Sequence, residues 1–346
     1  MNNNDNKIRL AITHGDFNGV GYEVIIKTFA DARMFDFCTP VLYGSTKVAS
    51  YHKKLLTSVQ QEIQFNAIRD AAEAQPGKYN VINLTQDEIK IDLGKSTDLA
   101  GALSRESLNR ACADLKAGKV DVLVTAPINK RNIQAPDFDF PGHTEYLSHQ
   151  FGSSSLMLMV CDRIRIGIVT NHLALKDVPS ALTHDLLAEK ISILNASLKR
   201  DFGITTPKIA VLALDPHAGD NGVIGDFDQR VIRPVIDEAQ SSGILAYGPF
   251  PSDGFFGSSE FNKFDGVLAL YHDQGLIPFK LMSFTEGVNY TAGLPYVRTS
   301  PAHGTGYDIA GHDRASEQSF RSAVYLACTI LRNRREYDEL TAAPLR

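Results

Sequence analysis

Three histidines in this chain share one kind of position. His172, His217 and His272 each follow an apolar run, Ile164 to Thr170, Ile209 to Leu214 and Val267 to Tyr271, and short apolar runs of this kind read as buried strands. A single histidine after a strand is ordinarily a hydrogen-bonded loop residue. Independent structural histidines have no reason to recur at three equivalent junctions, so the repetition points to convergence on one rim of a sheet. Three neutral imidazoles bind a borderline divalent ion and leave positions open for a substrate hydroxyl and carbonyl. Zinc suits such donors best, with cobalt, manganese or magnesium as substitutes. Asp273, beside His272, and Asp253, in the run Gly248 to Asp253, are carboxylates able to orient an imidazole or accept a proton; either equally reads as a loop or capping aspartate.

Further along, Val267 to Gly311 carries Lys280, Asn289 and Arg298 among Gly287, Gly293, Pro295 and Pro301. A long polar connection with two cations and little periodicity is uncommon unless it binds something. The two cations read either as solvated surface charges or, with the neutral donor, as contacts to a small molecule with a phosphate and a carboxylate, each of which takes bidentate arginine.

The elements that must hold these residues alternate. Ile8 to Thr13 reads as a strand, His14 to Gly21 as a Gly-rich loop, and Tyr22 to Ala30 as a helix. That loop lacks GxGxxG spacing, so it is either an anion cradle or a tight turn with close packing. Val41 to Tyr43, Val81 to Leu84 and Val120 to Ala126 are further strands, with helices over Thr46 to Leu56 and Ser104 to Lys116, the second capped by Ser104 and ended by Gly118. Thr125 to Lys130 and Phe140 to Glu145 follow; His143 stands at a helix start, and Lys130 is a solvated lysine, a phosphate contact or a proton carrier. Strands alternating with helices imply an α/β fold with a mostly parallel sheet covered on both faces.

At 346 residues the chain has room for two domains, and 43% hydrophobic with 22% charged residues is ordinary globular composition. A net charge of −5 gives no reason to expect nucleic acid, and no apolar run approaches a membrane span. Cys38, Cys112, Cys161 and Cys328 are scattered without a CxxC pair, as expected for reduced, buried thiols. The N-terminal residues form no signal segment, so a cytoplasmic protein is expected.

The runs YHDQGLIPFKL and GVNYTAGLPYVRTSPAHGT closely resemble the signature of the 4-hydroxythreonine-4-phosphate dehydrogenase (PdxA) family. The resemblance implies an isocitrate/isopropylmalate dehydrogenase-like α/β/α fold, two domains flanking a cleft: 1–130 plus 300–346 on the cofactor side, 131–299 for substrate, metal and dimerisation. It implies His172, His217 and His272 as metal ligands, and His143, Thr144, Lys280, Asn289 and Arg298 as contacts to a small phosphorylated amino acid. A homodimer with its active site at the subunit interface is also implied. Ser300 to Gly311 resembles the adenine loop of isocitrate and isopropylmalate dehydrogenases, which makes His303, Gly304, Thr305 and Asp308 the contacts to NAD or NADP. The implied reaction is NAD(P)-dependent oxidation of 4-phosphooxy-L-threonine with decarboxylation, the proton acceptor being Asp253, Asp273 or a metal-bound base. Relatives acting on 4-phosphoerythronate or 4-phosphothreonate, or a non-catalytic metabolite binder, would share most of these residues. The chain departs from the family pattern at Asp215, Phe227, Gly254 to Phe256, His312 and Asp313, and its first loop carries His14, Asp16, Phe17 and Tyr22 where the family is richer in proline.

Overall fold

The computed structural model describes residues 7–136 and 138–342. Its strands among the described residues are, in chain order, β1 (Ile8–Thr13), β2 (Cys38–Gly44), β3 (Phe65–Ile68), β4 (Tyr79–Asn83), β5 (Val122–Thr125), β6 (Leu156–Val160), β7 (Arg165–Ile168), β8 (Lys208–Leu212), β9 (Leu245–Phe250), β10 (Gly266–Ala269), β11 (Val288–Ala292) and β12 (Val297–Pro301). By contact the chain divides into two compact units, Met1–Tyr146 with Tyr296–Leu331 and Leu147–Pro295 with Arg332–Arg346. The sequence reading had placed its boundaries at 130/131 and 299/300.

In the first unit the strand order is β3-β4-β2-β1-β5-β12 and every pair is parallel. Strands β2 and β5 are buried at every residue, which requires cover on both faces and explains their unbroken apolar character. The helix Asp98–Lys116 packs on β1, β2 and β5. It starts six residues before the expected Ser104, because Thr97 is the cap and its hydroxyl accepts the Ala100 N–H at 3.3 Å. Ser104 lies inside the helix, donating to the carbonyls of Ala100 at 2.7 Å and Gly15 at 2.5 Å. Gly118, at φ +69°, ends the helix as expected. The loop from His14 to Val20 is buried throughout, so close packing, the second of its two readings, is what the structure shows.

The second unit has the order β11-β6-β7-β10-β8-β9. Here β11–β6 and β6–β7 are antiparallel while β7–β10, β10–β8 and β8–β9 are parallel. The sheet portion is therefore mixed, since an apolar run such as Leu156 to Val160 reports burial and not the direction of its partner. The irregular connection expected after Tyr271 is also mostly regular: His272–Met282 is a helix, followed by β11 and β12. Pro278 sits within that helix, while Gly287 directly precedes β11, Gly293 and Pro295 lie in the turn between the strands, and Pro301 ends β12. Gly275 lets the helix close on the sheet, for a Cβ there would lie 2.3 Å from Ile168 Cδ1.

Candidate active site

Because β7, β10 and β8 are parallel neighbours, the segments leaving their carboxyl ends emerge along one rim, the usual ligand edge of such a sheet. The rings of His172 and His272 lie 5.7 Å apart between centroids. His272 Nδ1 and Asp273 Oδ1 are 2.7 Å apart; with the imidazole N–H donating to the carboxylate, Nε2 keeps its lone pair for an ion. Gln274 braces the rim. It accepts the Leu270 N–H at 2.7 Å and donates to the Ala213 carbonyl at 2.6 Å and the Ser252 hydroxyl at 2.9 Å.

His217 is exposed and opens a left-handed turn, with φ of 54°, 53°, 77°, 44° and 54° from His217 to Asn221. The base of that turn is held by Asp228, whose buried carboxylate accepts the N–H groups of Leu214 at 2.8 Å and Asp215 at 2.9 Å. Among the described residues no group of three or more His, Cys, Asp or Glu is placed to hold a metal ion. The donors fit a borderline ion in kind, and one imidazole is already oriented; the third ligand of the expected set does not join the other two here. Asp253, in the short helix Ser252–Gly257, and Lys280 are exposed. Asn289 is half-buried in β11, and its Oδ1 is buried without a hydrogen-bond partner, an arrangement that ordinarily awaits a ligand or water.

The first unit gathers a different set. His143 and Thr144 begin the helix His143–Phe151, and Thr144 is buried. Burial first, then the charges of Arg298 and Lys130, hold His143 well below the ordinary imidazole range, so it is neutral. Its Nε2 is buried and accepts no hydrogen bond from the protein. Arg298, only 2% exposed, directs Nε and Nη2 to the Thr125 hydroxyl at 3.2 and 2.6 Å. Burial lowers its pKa to about 9, opposed by Glu145 and Cys112, and the guanidinium remains charged at neutral pH. Partial burial lowers Lys130 as well, again opposed by Glu145. A Cβ placed on Gly142 would meet Glu145 Oε2 at 3.4 Å and Lys130 Cε at 3.8 Å, so these side chains converge there. Two cations, one carboxylate and a neutral imidazole make a site for an anion with a proton carrier beside it. Sequence reasoning left Lys130 open and passed over Glu145, although both stand in the two motifs it had singled out.

In the loop after β12, His303, Gly304 and Asp308 are exposed and Thr305 is half-buried. Space is open around Gly304, with nothing within 4 Å of a Cβ placed there. An exposed ring for stacking, a carboxylate for ribose hydroxyls and an uncrowded glycine fit the adenosine end of a dinucleotide.

Residues 36–327 match the family model of the pyridoxal phosphate biosynthetic protein PdxA. The chain belongs to the PdxA family. The 4-hydroxythreonine-4-phosphate dehydrogenase of Bacteroides thetaiotaomicron is 49% identical over 344 residues, 99% of this chain and 94% of that one. The enzyme of the same name from Sulfurihydrogenibium is 39% identical, covering 95% of this chain and all of the relative (100%). A crystal structure of 4-hydroxythreonine-4-phosphate dehydrogenase from Klebsiella pneumoniae superposes with a TM-score of 0.82 at 32% identity, over 95% of this chain and 99% of that one. The mixed α/β fold is thus that of PdxA enzymes. The first strand and the buried loop after it precede the span 36–327 matched by the PdxA model.

Proposed function

We propose that this PdxA-family enzyme oxidises the C3 hydroxyl of 4-phosphooxy-L-threonine with NAD or NADP and releases carbon dioxide, yielding 3-amino-2-oxopropyl phosphate for pyridoxal phosphate synthesis. The observation that carries this reading is the 49% identity, over 99% of the chain, to a protein named for that activity. Arg298 and Lys280 take the anionic groups of the substrate, His143 and Thr144 orient it, and the unpartnered Oδ1 of Asn289 accepts one of its donors. His303, Gly304, Thr305 and Asp308 would hold the adenosine end of NAD or NADP, which when bound would supply the hydride acceptor for C3. Asp273 fixes the His272 imidazole, which leaves Asp253 as the carboxylate favoured to take the hydroxyl proton. A divalent ion, zinc by its donors, held by His172, His217 and His272, would polarise the C3 oxygen and stabilise negative charge there during loss of carbon dioxide.

The enzyme is proposed to be a cytoplasmic homodimer whose active site includes residues of the second copy. Ile277, Leu281 and Phe284 are 59%, 84% and 80% exposed on and just after the helix His272–Met282, an apolar face beside proposed site residues that a second copy would cover. No described helix is long and apolar enough to cross a membrane.

The test is a metal-supplemented assay of NAD(P)H formation comparing 4-phosphooxy-L-threonine with 4-phosphoerythronate and 4-phosphothreonate, with each cofactor. With Asp253 taken as the base, Asp215 offers an acceptor for the substrate ammonium, and a site built for a polar partner rejects its absence strongly; a higher kcat/KM is expected for the amino substrate. Equal or better turnover of the hydroxy acids would overturn the substrate assignment, and silence with all three would favour a metabolite binder.

A further inference from the structure

We infer that Asp16 and Tyr307 are positioning residues for the dinucleotide, holding the loop 302–308 in the shape that receives it. This rests on the reading of that loop as the cofactor site. Strands β1, β5 and β12 are parallel neighbours, so the loops after them share one rim, and Asp16 joins all three. Its carboxylate is fully buried and is satisfied by neutral donors. Oδ2 accepts the Tyr307 hydroxyl at 2.6 Å and Asn132 Nδ2 at 2.7 Å, while Oδ1 accepts the Asn18 N–H at 2.9 Å. Asn129 Nδ2 in turn donates to the Tyr307 oxygen at 3.1 Å.

The backbone grips the same loop one residue pair earlier. The Val20 N–H donates to the Thr305 carbonyl at 2.9 Å, and a Cβ on Gly19 would lie 2.5 Å from that oxygen, so only glycine permits the approach. The loop is therefore fixed at Thr305 from the backbone and at Tyr307 from a side chain, while His303 and Gly304 before those anchors and Asp308 after them stay exposed. A ligand settling on a loop already held in one shape avoids the entropy of ordering it. Removing the Tyr307 hydroxyl leaves the Asp16 carboxylate one donor short in a buried site, where such a loss is costly. Burial raises the Tyr307 pKa, and the hydrogen bond to Asp16 adds to it, so the hydroxyl remains a donor at working pH.

The experiment measures NADH and NADPH affinity of the purified full-length protein by fluorescence titration, alongside kcat at saturating cofactor and the melting temperature. Tyr307→Phe keeps the ring and loses only the hydroxyl. Its expected effect is about tenfold weaker dinucleotide binding with kcat within about twofold of the parent, and Asn129→Ala should weaken binding in the same direction by less. Asp308→Ala serves as the control for the loop itself. If Asp308→Ala weakens binding and Tyr307→Phe does not, the positioning role is overturned and the cofactor loop stands. If neither changes affinity, the loop assignment itself falls. A Tyr307→Phe variant that loses kcat and melting temperature with unchanged affinity would mark a purely structural role and also overturn the inference.

Discussion

Tyr22 is sandwiched between two buried imidazoles. Its ring lies 5.5 Å from His14 at 22° and 5.1 Å from His52 at 14°. Burial is the largest influence on both histidines and lowers each from 6.5 to about 4. Each is therefore neutral in the folded chain at a pH where the unfolded chain already binds protons, so stability is complete above pH 6.5 and is lost as pH falls from there toward 4. The expected loss approaches about 1.4 kcal/mol per pH unit for each histidine. Urea unfolding measured from pH 6.5 to 5 should show a slope of this sign, to which the neutral His143 adds, and His52→Gln, which retains a donor for the Phe17 carbonyl that His52 Nε2 meets at 2.9 Å, should reduce it by one histidine's share, up to about 1.4 kcal/mol per pH unit. A parent whose stability is flat across that range would contradict the assignment.

At the scale of elements, the turn Pro216–Gly222 is the most strained feature of the proposed metal rim. Ala218, at φ 53° and ψ 41°, occupies the left-handed region without the side-chain hydrogen bonding that lets Asn or Asp tolerate it. Ala218→Gly should therefore stabilise the chain by about 0.5–1 kcal/mol, the relieved Cβ clash exceeding the added freedom of the unfolded chain. The midpoint of urea unfolding checks this, and a destabilised variant would show that the turn is not left-handed in solution. Some element ends were legible beforehand and others were not. Gly118 marks a helix end because its positive φ needs glycine. The true cap, Thr97, escaped notice because Ser104 has equally good capping chemistry, and only packing decides which hydroxyl faces a helix N–H and which faces the carbonyls of Ala100 and Gly15.

At the scale of the whole molecule, the proposed dimer has a direct test in the exposed apolar face after His272. Leu281→Asp changes a residue 84% exposed in the single chain, so the fold itself should tolerate it to within about 0.5 kcal/mol. Sedimentation velocity should show a dimer for the parent and a monomer for the variant, with turnover falling in step. A parent that sediments as a monomer at assay concentration would remove the dimer from the proposal.

Run by run, the apolar stretches that became β1, β5, β7, β8 and β10 were readable from sequence, because burial on both faces demands unbroken hydrophobic residues whatever their partners. So was the family, since the motif from Tyr271 to Thr305 is long and made of unusual combinations. Partnership was not readable. Whether β6 runs with or against β7, which three strands lie side by side, and that Asp16 meets Tyr307 across 291 residues of chain depend on long-range pairing that no local periodicity encodes. The gathering of Lys130, His143, Glu145 and Arg298 is of the same kind. Sequence showed that these residues were polar and set in unusual company; only the fold, by bringing β12 beside β5 and burying Arg298 there, made their charges act on one another and left His143 neutral.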